Sequence, residues 1–113
     1  HVREVAGTIL RQAGYTVLEA QNGEGALALC AQYLDRIHLL ITDVIMPGMN
    51  GRQVSENAAS LHPGLAVLFM SGYTDDAILR HGVLEASVHF LEKPFTPSML
   101  RIKVREALRT VAM

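Results

Sequence analysis

Three reactive side chains each stand at the carboxyl end of an apolar run. Asp43, Ser71 and Lys93 end the runs that cover 39–42, 67–70 and 88–92. If the three runs are parallel strands of one sheet, their carboxyl ends share the edge at which α/β sheets bind ligands. A carboxylate, a hydroxyl and an ammonium group at one edge suit a phosphoryl group.

The chemistry of this set is that of acyl-phosphate formation. An aspartate can attack phosphorus when cations offset the phosphoryl charge and hold the geometry. Lys93 supplies the cation, Ser71 can donate a hydrogen bond, and Gly72 leaves room for the group to enter. Taken singly, each residue has an ordinary explanation as a helix cap, a polar surface group or a solvated cation. Their shared position at strand ends favours the chemical interpretation.

Length and composition limit the classes of function. The chain has 113 residues, enough for one domain with a real core. No apolar stretch approaches the about 20 residues of a membrane span, and the start lacks a secretory signal pattern, so we expect a soluble, cytoplasmic protein without membrane contact. The net charge of −1 and the scattered Lys and Arg residues argue against direct nucleic-acid binding.

The cysteine and histidine pattern gives little support to redox or transition-metal chemistry. Cys30 is the single cysteine, and its helical spacing with apolar neighbours predicts a buried structural thiol; those neighbours are Ala26, Leu27, Tyr33 and Leu34. The five histidines include no i,i+4 pair and have no neighbouring cysteine, so we expect no transition-metal site.

The first part of the chain predicts helix, strand and helix. The first helix ends near Gly14, and its predicted buried face comprises Val2, Val5, Ala6, Ile9, Leu10 and Ala13. A short segment rich in β-formers, 15–20, is predicted as a strand. Asn22 and Gly23 then open a second helix that runs to about Leu34.

The remainder repeats the alternation. A turn-rich loop leads into a third helix that stops at a His-Pro-Gly stretch and whose apolar residues are Val54, Ala58 and Leu61. The run ending at Ser71, a helix opened by Thr74 and the run ending at Lys93 follow. Thr96 and Pro97 suit the start of a last helix with the apolar stripe Leu100, Val104, Ala107, Leu108 and Val111. Strand alternating with helix predicts a parallel sheet covered on both faces.

Three motifs in this order resemble the receiver domain of two-component response regulators. They are Asp43 with 44–51, Ser71-Gly72-Tyr73, and Lys93-Pro94-Phe95. The resemblance covers essentially the whole chain, 1–113, and implies a flavodoxin-like, doubly wound α/β fold with strand order 2-1-3-4-5. It implies that Asp43 is the phosphoacceptor, that the Ser71 hydroxyl moves toward the phosphoryl group, and that Lys93 pairs with it.

The resemblance also implies a switch. Phe90 matches the family's switch aromatic, which reports phosphorylation on the surface of the family's fourth helix, fifth strand and fifth helix; alternation alone favours a plain core ring. The Lys93–Pro94 bond is cis in the family. Ile45 and Tyr73 flank the phosphoryl site in receivers and are bulky here, so we expect slow hydrolysis of the acyl phosphate.

The family's magnesium site has one large departure here. Receivers hold Mg²⁺ with an acidic pair at the end of a first strand, the phosphoacceptor carboxylate of Asp43 and a backbone carbonyl, here that of Ile45. The chain opens with His1 at the helix after that strand, so the acidic pair would lie upstream of His1 and is absent from this sequence. We therefore expect an N-terminally truncated domain with an incomplete Mg²⁺ site. Loss of this central strand leads us to expect 1–113 alone to be unstable.

The implied partners are a histidine kinase or a histidine phosphotransfer protein. The resemblance also implies a homodimer through the surface of the family's fourth helix, fifth strand and fifth helix, which we call the switch surface. The stretches 68–76 and 90–97 resemble C-terminal receivers of hybrid sensor histidine kinases, and the domain itself is not expected to be an enzyme. One alternative is a receiver-like interaction domain that is never phosphorylated. Another is a phosphatase of the haloacid-dehalogenase type, but such enzymes need a second Asp where this chain has Ile45.

Overall fold

The structure, a computed structural model, describes residues 2–43, 48–71 and 89–111. The elements are α1 Val2–Gln12, α2 Gly23–Gln32, β1 Leu39–Asp43, α3 Gly51–Leu61, β2 Ala66–Ser71, β3 His89–Glu92 and a C-terminal helix Pro97–Val111. The predictions of strands at the three apolar runs are confirmed. His1 and the predicted helix opened by Thr74 lie outside the described residues.

The strands form one parallel sheet in the order β1-β2-β3. Asp43 lies opposite Met70, and Ser71 lies opposite Glu92. The strands therefore end within one residue of each other at the same edge. This confirms the predicted parallel sheet.

The prediction of a strand at 15–20 is wrong. Its residues join no ladder with the described strands, although Tyr15 and Val17 pack against the core. Arginine side chains of α1 take two of its carbonyl groups instead: Arg11 Nη2 donates to Val17 O at 3.1 Å and Arg3 Nη1 donates to Ala20 O at 3.4 Å. Residues with high β-propensity form a strand only beside a partner, because cross-strand pairs supply the stabilisation.

Local capping fixes the helix ends. The Asn22 side chain accepts a hydrogen bond from the Gly25 N–H at 2.8 Å at the start of α2, and Thr96 Oγ1 accepts from the Met99 N–H at 3.1 Å at the start of the C-terminal helix. Gly14, at φ +99°, follows α1 in the left-handed conformation that favours glycine. These confirm the predicted helix boundaries at Asn22, Thr96 and Gly14.

The main core lies between the sheet, α1 and the C-terminal helix. Its buried residues are Ala6, Ile9, Leu10, Leu68, Met70, Leu91, Leu100 and Val104. On the other face α2 packs against α3, and α3 packs against β1. Helices thus cover both faces of the sheet, as the sequence predicts. Among the described residues, no helix is both long and apolar enough to cross a membrane.

Two residues predicted on the buried face of α1 are exposed. Val5 is 53% exposed, and Ala13 is also exposed. Val5 lies at the border of the buried face, about 100° around α1 from Ala6. Ala13 lies beyond the last residue of α1, Gln12.

The predictions for Cys30 and the last helix are largely confirmed. Cys30 is buried, and burial raises the pKa of its thiol above the ordinary value. Leu100, Val104 and Ala107 are buried, and Leu108 packs against the core. By contrast, α2 ends at Gln32, two residues before the predicted boundary.

Candidate functional site

The three predicted reactive residues lie at the carboxyl edge of the sheet. Asp43 is the last residue of β1, Ser71 is the last residue of β2, and Lys93 follows the end of β3 directly. The register brings these backbone positions together, because Asp43 pairs with Met70 and the following residue, Ser71, pairs with Glu92. The topology therefore places one carboxylate, one hydroxyl and one ammonium residue on adjacent strands.

Asp43 and Lys93 form a close ion pair. Asp43 Oδ1 lies 2.6 Å from Lys93 Nζ, and the two side chains are 39% and 30% exposed respectively. Oδ1 itself is buried and accepts no well-aligned hydrogen bond from the described residues. The ammonium group is therefore close enough for strong charge attraction to the carboxylate.

This geometry leaves the carboxylate chemically available. The Asp43 side chain is 39% exposed, so an incoming phosphoryl group can reach it while Lys93 stays beside it. The Lys93 ammonium is also the kind of group that stabilises the equatorial oxygens of a transferring phosphoryl group. The pair can thus present a nucleophile and offset incoming negative charge at one point.

The residues that follow Lys93 connect it to the C-terminal helix. The Lys93–Pro94 peptide bond is cis, as the resemblance implies. Phe95 packs against the main core, and Thr96 caps the C-terminal helix. The ammonium group is therefore joined to that helix by a short, fixed connection.

Two supporting features were missed from the sequence. Thr42 is buried beside Asp43, and its hydroxyl donates to the Asp43 backbone oxygen at 3.1 Å. A single threonine inside an apolar run was the available signal. After the loop that follows β1, the Asn50 side chain accepts from the Gln53 N–H and the Gln53 side chain accepts from the Asn50 N–H, both at 2.9 Å. The Asn-x-x-Gln spacing predicts such a capping box.

Phe90 lies on the sheet face opposite the main core. It pairs in register with Phe69, which is buried, but Phe90 itself is only half-buried on the edge strand β3. Strand alternation alone favours a buried core ring at Phe90, but this ring is more exposed than a core residue. The expectations for Ile45, Gly72 and Tyr73 lie outside the described residues, and Pro94 is exposed.

The described residues do not form a complete metal site. They contain no group of three or more His, Cys, Asp or Glu side chains that could hold an ion. Asp43 offers one carboxylate whose Oδ1 lacks a hydrogen bond, which suits a metal ligand. The expected acidic pair upstream of His1 falls outside the described residues. Mg²⁺ requires about six oxygen ligands including waters, and one carboxylate among the described residues does not meet that requirement.

Comparison with known proteins agrees with this geometry. The model of the response regulator receiver domain matches residues 1–105. The chain belongs to the response regulator receiver family. It is 35% identical over 99 residues to the sensor kinase CckA of Brucella abortus, covering 88% of this chain and 10% of that protein. It is 30% identical over 86 residues to the receiver protein CpdR of the same organism, covering 76% of this chain and 70% of CpdR.

Solved structures show the same fold. The receiver domain of the hybrid histidine kinase CckA has 36% sequence identity and a TM-score of 0.77, with 95% of this chain and 89% of that chain covered. A response regulator receiver protein from Sinorhizobium medicae has a TM-score of 0.82 at 23% identity, with 97% and 87% covered. The fold is flavodoxin-like α/β, and this receiver is a signalling module of two-component systems.

Several relatives are much longer than the chain. It spans 10% of CckA and 28% of a cyclic di-GMP phosphodiesterase of Thermotoga maritima that is 33% identical over 107 residues. The match to the latter is to its receiver-like part, so it confers no enzyme activity on this chain. Receiver domains in general interact with histidine kinases or histidine phosphotransfer proteins.

Proposed function

We propose that Asp43 accepts a phosphoryl group from a phosphohistidine on a histidine kinase or phosphotransfer protein. The observation that carries this is the 2.6 Å approach of Lys93 Nζ to a buried Asp43 Oδ1 that accepts no hydrogen bond from the described residues. A carboxylate oxygen forms the new O–P bond while the N–P bond breaks. The electron pair of that bond returns to the imidazole of the donor, which is thereby released as the leaving group.

The chain's own groups hold the product. Lys93 stays beside the acyl phosphate and offsets its added charge, and the Ser71 hydroxyl donates to a phosphoryl oxygen. The movement of Ser71 and a rotamer change of Phe90 carry the signal to the surface of the family's fourth helix, fifth strand and fifth helix. Here β3 and the C-terminal helix supply the last two of these elements. Ile45 and Tyr73 shield the acyl phosphate from water, so its hydrolysis is slow.

A bound Mg²⁺ would offset phosphoryl charge beside Asp43. The Asp43 carboxylate would be one ligand, and the family resemblance implies that the Ile45 carbonyl and an acidic pair outside this sequence would be the other protein ligands. Within the described residues, the outer edge of β1 and the segment 15–20 join no further strand, which supports a strand between them.

The relatives support a biological context for this proposal. The likeness to the receiver of a hybrid kinase supports a place at the C-terminal end of a hybrid histidine kinase in the cytoplasm. Its partners are proteins that carry the phosphohistidine, and a second copy can pair through the switch surface. Direct contact with nucleic acid or membrane is not part of this function.

Phosphorylation of the full-length protein with acetyl phosphate or phosphoramidate and Mg²⁺ tests the central claim. Intact mass and peptide mapping should place one phosphoryl group on Asp43. Asp43→Asn should abolish it, whereas Asp35→Asn, an exposed aspartate in the loop before β1, should leave it unchanged. Unchanged phosphorylation of Asp43→Asn would reject the proposal. An absence of phosphorylation in the wild-type protein would support the unphosphorylated interaction domain instead.

A further inference from the structure

The outward face of the C-terminal helix carries a basic stripe, defined here as Arg101, Ile102, Arg105 and Arg109. All four residues are exposed. Successive arginines are four residues apart, so each is displaced by about 40° around the helix and about 6 Å along it. The stripe lies opposite the buried residues of the same helix, Leu100, Val104 and Ala107.

The three arginines of the stripe lack carboxylate partners in the described part of the chain. Arg101 Nη2 donates to Ser98 Oγ at 3.4 Å, and no ion pair to a described residue is made by Arg101, Arg105 or Arg109. Arginines of the other helices behave differently. Arg3 and Arg11 of α1 both pair with Glu19, and Arg52 of α3 pairs with Glu56; the three closest N–O distances are 3.5, 2.8 and 2.9 Å. Toward the described residues, the stripe therefore presents positive charge that no ion pair offsets.

An apolar contact point lies within this charge. Ile102 is 56% exposed, and it lines a shallow groove of about 220 Å³ together with Ser98, Arg101 and Arg105. An isoleucine exposed between arginines favours a ligand that combines carboxylates with an apolar side chain. It gives a simple inorganic anion no advantage.

We propose that the basic stripe binds an acidic amphipathic helix of a partner protein. Carboxylates at i, i+4 and i+8 on that helix would repeat the spacing of Arg101, Arg105 and Arg109, because both helices rise about 6 Å in four residues. Each guanidinium group can hold a carboxylate through two parallel hydrogen bonds. An apolar residue beside the middle carboxylate would cover Ile102.

The size of the charge cluster favours a protein over a lipid surface. Recognition of anionic lipid takes clusters of about four to eight Lys or Arg residues. The stripe has three arginines, Glu106 is exposed on the same helix, and the whole chain carries a net charge of −1. This inference names a partner for one element of the proposed switch surface, and it rests on the proposed function only for the control of binding by phosphorylation.

Fluorescence anisotropy with the full-length protein and a labelled peptide tests the docking. The probe is an alanine-based helix of about 20 residues with glutamates at i, i+4 and i+8 and one leucine; a peptide with lysines at those positions is its control. We expect Arg101→Glu/Arg105→Glu to weaken binding of the acidic peptide by at least about tenfold, since it replaces two attractions by repulsions. Arg36→Glu/Arg52→Glu changes the net charge equally and should weaken it by less than about twofold.

The remaining arms separate the alternatives. Arg101→Gln/Arg105→Gln, which only removes charge, should weaken binding by about threefold or more, and it replaces the Glu variant if that one melts early. Equal losses in the control variant, or no preference for the acidic over the lysine peptide, would overturn the proposal. Arginine-dependent binding to phosphatidylserine vesicles without peptide binding would do the same. Peptide binding that persists in an Asp43→Asn variant shows that docking on the stripe does not require phosphoryl acceptance at Asp43, so each proposal can fail without the other.

Discussion

Gly23 offers a sharp test of how α2 and α3 fit together below the loop that follows Asp43. Gly23 is the first residue of α2 and is buried. A Cβ atom added there would lie 2.7 Å from Val54 Cγ2 and 3.2 Å from Met49 Cβ. Carbon atoms pack best at about 3.5–4.0 Å. Val54 is fully buried, so it has little room to withdraw.

The expected cost of Gly23→Ala follows from this overlap. Overpacking a core by one methyl group costs about 1–3 kcal/mol, and the gain in helix propensity recovers at most about 1 kcal/mol. We expect a net destabilisation of about 1–2 kcal/mol. Val54→Ala removes two methyl groups and costs about 2–3 kcal/mol including the cavity. The double variant should cost less than the sum, by about 1–2 kcal/mol, because Val54→Ala removes the atom that the added methyl group would strike.

Urea unfolding of the full-length protein and its three variants measures this cycle. Gly25→Ala is the matched control in the same helix, because its Cβ would meet Asn22 Oδ1 at 3.3 Å and Ala20 Cβ at 3.5 Å, contacts that small shifts can absorb. It should be neutral or stabilising by up to about 1 kcal/mol. Strictly additive effects of Gly23→Ala and Val54→Ala, or a Gly23→Ala variant as stable as wild type, would refute the packing argument.

Three further predictions concern the ion pairs and the thiol. Lys93→Ala should lower the free energy of unfolding by only about 1 kcal/mol, because its pair with Asp43 is partly exposed. It should nevertheless uncouple phosphorylation from the change in hydrogen exchange of β3 and the C-terminal helix. A preserved exchange response would contradict this. Burial raises the pKa of Cys30, so its contribution to stability is complete below the unfolded pKa of about 8.5 and is lost as the pH rises through the higher folded pKa. Melts of Cys30→Ala should therefore lack one component of the alkaline decline, and iodoacetamide should alkylate the folded thiol slowly. Glu19→Gln should destabilise the fold by about 1 kcal/mol and speed proteolysis at 15–20, because it removes the charge that pairs with Arg3 and Arg11. The control Glu56→Gln affects only one exposed partner, Arg52, and should cost no more than about 0.5 kcal/mol.

The sequence predicted those elements whose signals are local. Thr96 and Gly14 mark helix ends by their own side-chain and backbone chemistry, and the apolar runs mark the strands of the parallel sheet. The segment 15–20 has equally good strand residues and is not a strand, because pairing depends on a neighbour that no local pattern reveals. Val5 shows a second limit: periodicity gives the direction of a buried face but not its width.

The sequence predicted which residues form the site, but not the contacts between their side chains. Strand-end positions and parallel connection were enough to bring Asp43 and Lys93 to one edge. The 2.6 Å approach and the missing hydrogen bond at Oδ1 depend on a lysine rotamer that the sequence does not determine. The basic stripe was hidden for a different reason. Arg101, Arg105 and Arg109 look scattered along the chain, and only helical geometry places them on one face.

The site and the basic stripe are joined by the short connection after β3. A phosphoryl group on Asp43 would add negative charge beside Lys93, and any resulting shift of the Lys93 backbone would be absorbed by 94–96 or passed to the C-terminal helix. Phe95 packs against the core and the Thr96 hydroxyl caps the first turn of the helix, so the backbone of this connection is restrained. A displacement at Lys93 is therefore transmitted to the helix that carries the stripe. If so, phosphorylation should change the affinity for the acidic peptide in the wild-type protein, while Lys93→Ala should keep the peptide affinity but lose its response to phosphorylation.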